Sequence, residues 1–193
     1  MSTITINLKP LIALTREAFY ELCQANPDIS FERTAQGELV IVSPVGGGSG
    51  KKEADIIADL ALWNRQTGLG VVFSSSTIFS LPLGADRSPD AAWISLERWN
   101  ALTPRQQEQF PPICPDFVIE LRSQSDNLKP LQGKMQEYLD NGIRLGWLID
   151  PKNQQVEIYR PRQDIEVLKS PISLSGEDVL PGFILDVSRI LNG

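Results

Sequence analysis

Residues 115–123 read PDFVIELRS. Taken as a strand, whose side chains alternate between faces, the stretch puts Phe117, Ile119 and Leu121 on one side and Asp116, Val118, Glu120 and Arg122 on the other. The apolar row faces a core. On the second row a carboxylate and a guanidinium stand two residues apart beside apolar neighbours, and burying either is costly unless it gains a partner, a metal ion or water. A second acid lies upstream, in RSPDAAWIS at residues 87–95. There Asp90 follows a proline and opens a short strand that places Ala92 and Ile94 on its own face. Two carboxylates and one fixed cation suit a divalent metal and phosphate.

Around that centre the chain has 193 residues, 41% of them hydrophobic and 22% charged, which predicts one domain spanning 1–193 with an ordinary globular core. No apolar run is long enough to cross a bilayer, so no membrane partner is expected. The opening MSTITINLKP lacks a basic start followed by an apolar stretch, and a cytoplasmic location is the expectation. Cys23 and Cys114 have no metal-ligand spacing and read as buried free thiols. There is no histidine, which removes histidine zinc sites, Ser-His-Asp and Cys-His nucleophiles and a histidine base together. Chemistry is left to carboxylates, Lys, Arg and hydroxyls. A net charge of -6 argues against coating nucleic acid by bulk positive charge but leaves room for a local basic groove.

In chain order, Thr15 caps a helix from Arg16 to about Asn26, and residues 31–34 and 38–43 form a hairpin. SPVGGGSGKK follows as a glycine-rich turn between strand and helix. It fails the phosphate-loop pattern, which needs glycine at Val45 and a hydroxyl at Lys52, and no register gives the dinucleotide pattern. A flexible turn remains, with Lys51 and Lys52 as candidate phosphate contacts. The helix from about Lys51 to Gln66 buries Ile56, Ile57 and Leu60. Stepping back along that face reaches Glu53, which is either a third inward acid or a first-turn glutamate held by the helix dipole.

Residues 69–73 and 77–81 read as strands leading to Asp90. Residues 96–112 form a helical excursion with a capping box at Thr103 to Gln106 and Pro104 at its first position; it is either a plain connection or a recognition or dimer element. After the central strand a helix begins near Pro130 and stops at Gly142, with Leu131, Met135, Tyr138 and Leu139 inward. Lys134 falls on or beside that face, so its amine either snorkels outward or points into a site. RLGWLID at residues 144–150 is a buried strand, and the helix between makes a βαβ crossover that predicts parallel neighbours. The strand 155–160, an edge strand within 164–174 and the apolar VLPGFILDVSRIL complete the chain.

Asp90 and Glu120, with Arg122 two residues on, resemble the bipartite P-D…(D/E)-x-K signature of restriction-endonuclease-like nucleases, spelled here Pro89-Asp90…Glu120-Leu121-Arg122. The wider series SPDAAWI, PDFVIELRS, the K-x-x-x-Y helix at Lys134 and Tyr138, GIRLGWLIDP and LPGFILDV resembles the Uma-two family within that superfamily, over roughly residues 15–187. The resemblance implies an α/β (α+β) fold, a mixed central sheet flanked by helices with additional N-terminal and C-terminal strands. It also implies magnesium-dependent phosphodiester hydrolysis in DNA, with manganese as a substitute metal, and a homodimer addressing two strands. Asp90 and Glu120 would hold the ion with Glu53 as an outer ligand. Arg122 replaces the expected lysine and, being permanently protonated, can stabilise phosphate charge but cannot act as a base. Lys134 is the candidate to supply that lysine; the alternative for Arg122 is a salt bridge to Glu120 or Asp116. Lys51, Lys52, Lys129 and Arg105 are candidates for nucleic-acid contact. Two other readings are a non-catalytic nucleic-acid-binding or regulatory protein on the same fold, and metal-assisted hydrolysis of a small phosphate ester.

Overall fold

The computed structural model describes residues 3–9 and 11–193; Met1, Ser2 and Pro10 of the opening stretch lie outside them. Its centre is a mixed six-stranded sheet. In chain order the strands are β4 (Gly70–Ser74), β7 (Ala91–Ser95), β8 (Phe117–Leu121), β9 (Leu145–Asp150), β10 (Gln155–Tyr159) and β11 (Glu166–Lys169), which lie side by side as β11-β10-β9-β8-β7-β4. A second, antiparallel sheet is built mainly from the N-terminal part: β1 (Thr3–Ile6), β2 (Ser30–Arg33), β3 (Leu39–Val42), β5 (Phe79–Ser80) and β6 (Asp86–Arg87), in the order β1-β3-β2-β6-β5. A hairpin of β12 (Ser173–Ser175) and β13 (Ile184–Asp186) lies near the C-terminus.

PDFVIELRS is the inner strand β8. It pairs antiparallel with β7 and parallel with β9, and every residue from Phe117 to Leu121 is buried. The parallel pairing requires a crossover, supplied by α5 (Leu128–Asp140). Both faces of β8 are covered. Phe117, Ile119 and Leu121 pack with Ile56, Leu60 and Trp63 of α2 (Gly47–Thr67) and with Leu180, Leu185 and Ile190 from the C-terminal segment. Val118, on the other face, packs with Met135 and Tyr138 of α5. Glu120 belongs to this α5 side, and so do Ala92 and Ile94 of β7.

The remaining helices are short. α1 (Arg16–Ala25) is capped by Thr15, whose side chain accepts from Ala18 N. Together with β2 and β3 it encloses a small core of Leu14, Phe19, Phe31 and Leu39. The excursion after β7 holds α3 (Leu96–Asn100) and α4 (Pro104–Glu108), the latter with the reciprocal capping box of Thr103 and Gln106. α6 (Ser188–Asn192) ends the chain.

Three boundaries differ from expectation: the strand expected over 77–81 is only β5, α5 begins at Leu128 ahead of Pro130, and α2 begins earliest of all against its expected start. The glycine-rich stretch is not a separate turn: α2 begins at Gly47, so Gly47 to Gly50 form its first turn. A Cβ added at Gly46, Gly47 or Gly48 would meet nothing within 4 Å, so the backbone there has room to coil and the apolar contacts downstream carry the helix back through it. As a consequence Glu53 lies beyond the first turn, which contains no acidic residue. No helix among the described residues is long and apolar enough to cross a membrane.

Candidate active site

The antiparallel register of β7 and β8 pairs Ala91 with Ile119. Continued by one residue, that register sets Asp90 opposite Glu120, which is how two acids 30 positions apart in the chain come together. Like charges facing each other across a ladder repel, and here both side chains are buried. Asp90 is fixed by the Leu121 amide, which donates to its Oδ2 at 2.6 Å. Glu120 is fixed from α5: the Tyr138 hydroxyl donates to its Oε1 at 3.1 Å and Lys134 Nζ lies 2.9 Å from the same oxygen. The four-residue spacing of Lys134 and Tyr138 puts both on one helix face, and that face covers the Glu120 side of the sheet.

Burial first, then the charge of Glu120, pushes the Asp90 carboxyl up to about 8, against the opposing pull of Lys134 and the Leu121 amide. Glu53 adds to the rise, which places its charge within reach of Asp90. Glu120 is also raised, again chiefly by burial, with Lys134 opposing and Glu32 adding to the effect. For Lys134 burial works to neutralise the amine, but Glu120, Glu32 and Asp90 outweigh it and the ammonium is held charged above its ordinary range.

Two residues that the sequence reading did not single out complete the cluster. Glu32 of β2 is 4% exposed; its Oε1 lies 2.8 Å from Lys134 Nζ and accepts from Ser88 N at 3.0 Å, and its Oε2 lies 3.0 Å from Arg87 Nη1. Arg87 also donates through Nε to Glu137 of α5. Burial works to raise Glu32, yet Lys134, Arg87 and the Ser88 amide hold it below the usual carboxylate range. Along β2 the alternation that buries Phe31 assigns Glu32 to the opposite face, which in isolation reads as solvent. The only sequence signal was indirect: Glu137 and Tyr138 follow Lys134 at three and four residues, so one polar helix face needs partners.

Glu32, Arg87, Asp90, Glu120 and Lys134 line a cleft of about 1210 Å³ between the two sheets, together with Glu53, Ser75, Ser88 and Asp126. Glu53 accepts a hydrogen bond from the Ser75 hydroxyl. Arg122 is not brought to the carboxylates. Its Nη1 lies 2.8 Å from Asp150 Oδ2 and its Nε donates to Asp126 O at 3.2 Å. The reason is the parallel register: Leu121 is level with Ile149, so Arg122 meets Asp150 on the β9 side, whereas Asp90 lies on the β7 side. The partner expected for an Arg122 salt bridge, Glu120 or Asp116, is replaced by Asp150; Asp116 instead pairs with Arg98 at 2.9 Å. Lys51 and Lys129 are exposed and Lys52 is partly buried; none of the three lines the cleft. Burial, and then the charge of Lys51, lower the Lys52 amine.

A central mixed sheet flanked by helices is the restriction-endonuclease-like fold, and here two carboxylates lie on adjacent strands of it beneath a lysine-bearing crossover helix. The crystal structure of a "putative nuclease belonging to DUF820" from Anabaena variabilis superposes with a TM-score of 0.72 at 20% identity, covering 84% of this chain and 90% of that one, which fixes the fold. Residues 16–188 match the model of the Uma2 family, described as "Putative restriction endonuclease", and the chain belongs to that family. Among curated proteins nothing matches significantly.

Proposed function

We propose that the protein is a metal-dependent endonuclease that hydrolyses phosphodiester bonds in DNA. The observation that carries the reading is the cross-strand pair of buried carboxylates, Asp90 and Glu120, opening into a cleft and backed by a lysine held in its charged form. Membership in a family described as restriction endonuclease supports a nucleic-acid substrate.

The donor set fits magnesium or manganese. Magnesium is held by one or two carboxylates completed by water and substrate phosphate, not by an all-protein cage. No group of three or more Asp, Glu or Cys among the described residues is placed to ligate a metal unaided, so water and substrate phosphate would have to complete the set. Asp90 Oδ2 is spent on the Leu121 amide and Glu120 Oε1 on Tyr138 and Lys134, so Asp90 Oδ1 and Glu120 Oε2 are the oxygens that would hold the ion. The upward shift of Asp90, caused first by burial and then by the charge of Glu120, marks a carboxyl whose ionised form a bound divalent cation would favour. Glu53, across the cleft, would act as an outer ligand. When bound, the ion supplies Lewis acidity toward the phosphoryl oxygen and toward the attacking water.

The chain's own residues do the rest. Lys134 stays protonated, so its positive charge, acting through space, would stabilise charge on the scissile phosphate, and it does not serve as a base. Tyr138 and the Leu121 amide fix the carboxylates in orientation, which lowers the reorganisation needed on binding. Arg122, occupied by Asp150, has a structural part. On duplex DNA the protein would act as a homodimer, one site for each strand.

One observation favours a second reading. The position where the superfamily signature carries lysine holds an arginine committed to Asp150, as in a fold that kept its binding surface without turnover. Calorimetric titration of manganese into the wild type and into Glu120→Ala, with and without a short duplex, separates the two. Binding abolished by the substitution supports the nuclease; no binding to the wild type in either condition rejects it in favour of the non-catalytic protein.

A further inference from the structure

Lys134 Nζ has three N–H donors, and the structure spends each on a different part of the molecule. One meets Glu120 Oε1 of the central sheet at 2.9 Å, one Ser88 O of the loop before Asp90 at 3.0 Å, and one Glu32 Oε1 of the N-terminal sheet at 2.8 Å. We propose that Glu32 is a positioning residue, which aims the Lys134 ammonium and shares its charge with Glu120, so that the N-terminal sheet is part of the active site. The catalytic consequence rests on the nuclease reading; the positioning itself does not.

Glu120 has to offer an oxygen to a metal, yet it is also the acid nearest to Lys134 on the central sheet. If Glu120 were the lysine's one carboxylate partner, the full attraction of a buried ammonium would fall on it and oppose metal binding. Glu32 divides that attraction and has a rigid base of its own. Its strand is level with Val40 of β3 and Thr5 of β1, its Oε1 holds the Ser88 amide, and its Oε2 holds Arg87. Arg87 in turn reaches Glu137, one turn from Lys134 on α5, so the lysine helix is tied to the N-terminal sheet twice.

A purely structural Glu32 would serve the fold equally whether or not Lys134 were present, and that is where the test lies. In lysine-labelled protein the Lys134 ammonium gives a protected ¹⁵N resonance, assigned by its absence from Lys134→Met. Glu32→Gln is expected to accelerate its hydrogen exchange about tenfold while the backbone amides of β8 and β9 keep their protection. Should Glu32→Gln fail to fold, Glu32→Asp, which keeps the charge but withdraws one methylene, is expected to give a smaller acceleration of the same sign. Unchanged exchange in a folded variant overturns the proposal. In manganese calorimetry, Glu32→Gln is expected to weaken binding about fivefold in the wild-type background and to leave it unaltered in Lys134→Met, the non-additivity of residues acting as a unit. Equal weakening in both backgrounds also overturns it. If the wild type takes up no manganese, the nuclease reading falls and the exchange measurement alone decides the role of Glu32.

Discussion

Arg122 and Lys134 both meet carboxylates at the same end of the central sheet, one on each side of Glu120, but their surroundings differ. Asp150, the partner of Arg122, also accepts from Lys152 N, Asn153 N and Asn153 Nδ2, so both its oxygens organise the turn after β9. There charge balances charge and every acceptor is used. Around Lys134 the carboxylates of Glu32, Asp90, Glu120 and Glu137 face two cations, Lys134 and Arg87, and the acid that lacks a direct cation partner, Asp90, is the one pushed up to about 8. A saturated pair holds a turn; a buried set of acids beside a cleft, with fewer cations than carboxylates, is where the proposed cation would bind.

The contrast breaks most visibly if the two cations prove interchangeable in catalysis. Lys134→Met is expected to lower kcat/KM on a cleaved duplex by about a hundredfold or more, the scale of removing one preorganised charge from a phosphoryl site. Arg122→Met is expected to change it little once the protein is folded. A steady-state comparison of the two variants in saturating manganese checks both, and a larger loss at Arg122 would reverse the assignment.

Stability should order them the other way. Arg122→Met leaves Asp150 buried with only its turn donors and is expected to cost about 3 kcal/mol, the range for breaking a buried pair on one side. Manganese affinity should be unaffected, so urea melts and calorimetry on the same sample show a stability defect without a binding defect.

The surplus of acid also gives a pH signature. Asp90 has a folded pKa raised to about 8, far above that of an unfolded aspartate, so between about pH 4 and pH 8 the metal-free folded state binds more protons than the unfolded one. Stability therefore falls as pH rises across that window and levels off above it. Asp90→Asn keeps an oxygen for the Leu121 amide, makes the slope shallower by leaving only the part due to the raised Glu120, and is expected to be more stable than the wild type at pH 8 by roughly 2 kcal/mol, while losing metal binding. Thermal melts at pH 5 and pH 8 without metal measure the difference; an unchanged slope in the variant would show that the surplus lies elsewhere.

Much of this was legible in the chain because it rests on local periodicity. PDFVIELRS announced a buried strand, RLGWLID its parallel neighbour, and the pattern between them a crossover helix with Lys134 on or near its inner face. Asp90 and Glu120 could be paired by motif before the register placed them opposite each other. What stayed hidden depends on contacts between distant segments. Glu32 is turned inward only because a second sheet packs against the cleft, and Arg122 is turned away only because Leu121 is level with Ile149 and not with a residue one step earlier. Neither fact has a local cause. The start of α2 was missed for a different reason: glycine is a poor helix former, and tertiary contacts at Ile56 and Leu60 overrode that preference.

The smallest effects belong to the cations outside both clusters. Lys51 and Lys129 are exposed, Lys52 is only partly buried, and none of them lines the cleft, so they can meet a nucleic acid only through phosphates along its flank. Such contacts carry no sequence information and weaken with salt. Replacing all three by glutamine is expected to reduce duplex binding a few-fold, about evenly across sequences, and to make the slope of log affinity against log salt shallower by about one for each phosphate no longer neutralised. Manganese affinity without DNA should stay put, because screening by solvent separates these charges from Asp90 and Glu120. If the triple variant instead bound metal differently, the boundary drawn between the acid-rich cleft and its basic margin would be in the wrong place. If the salt slope did not move, the duplex would have to lie across another face, and Arg105 on the excursion after β7 is the exposed cation with which to begin that search.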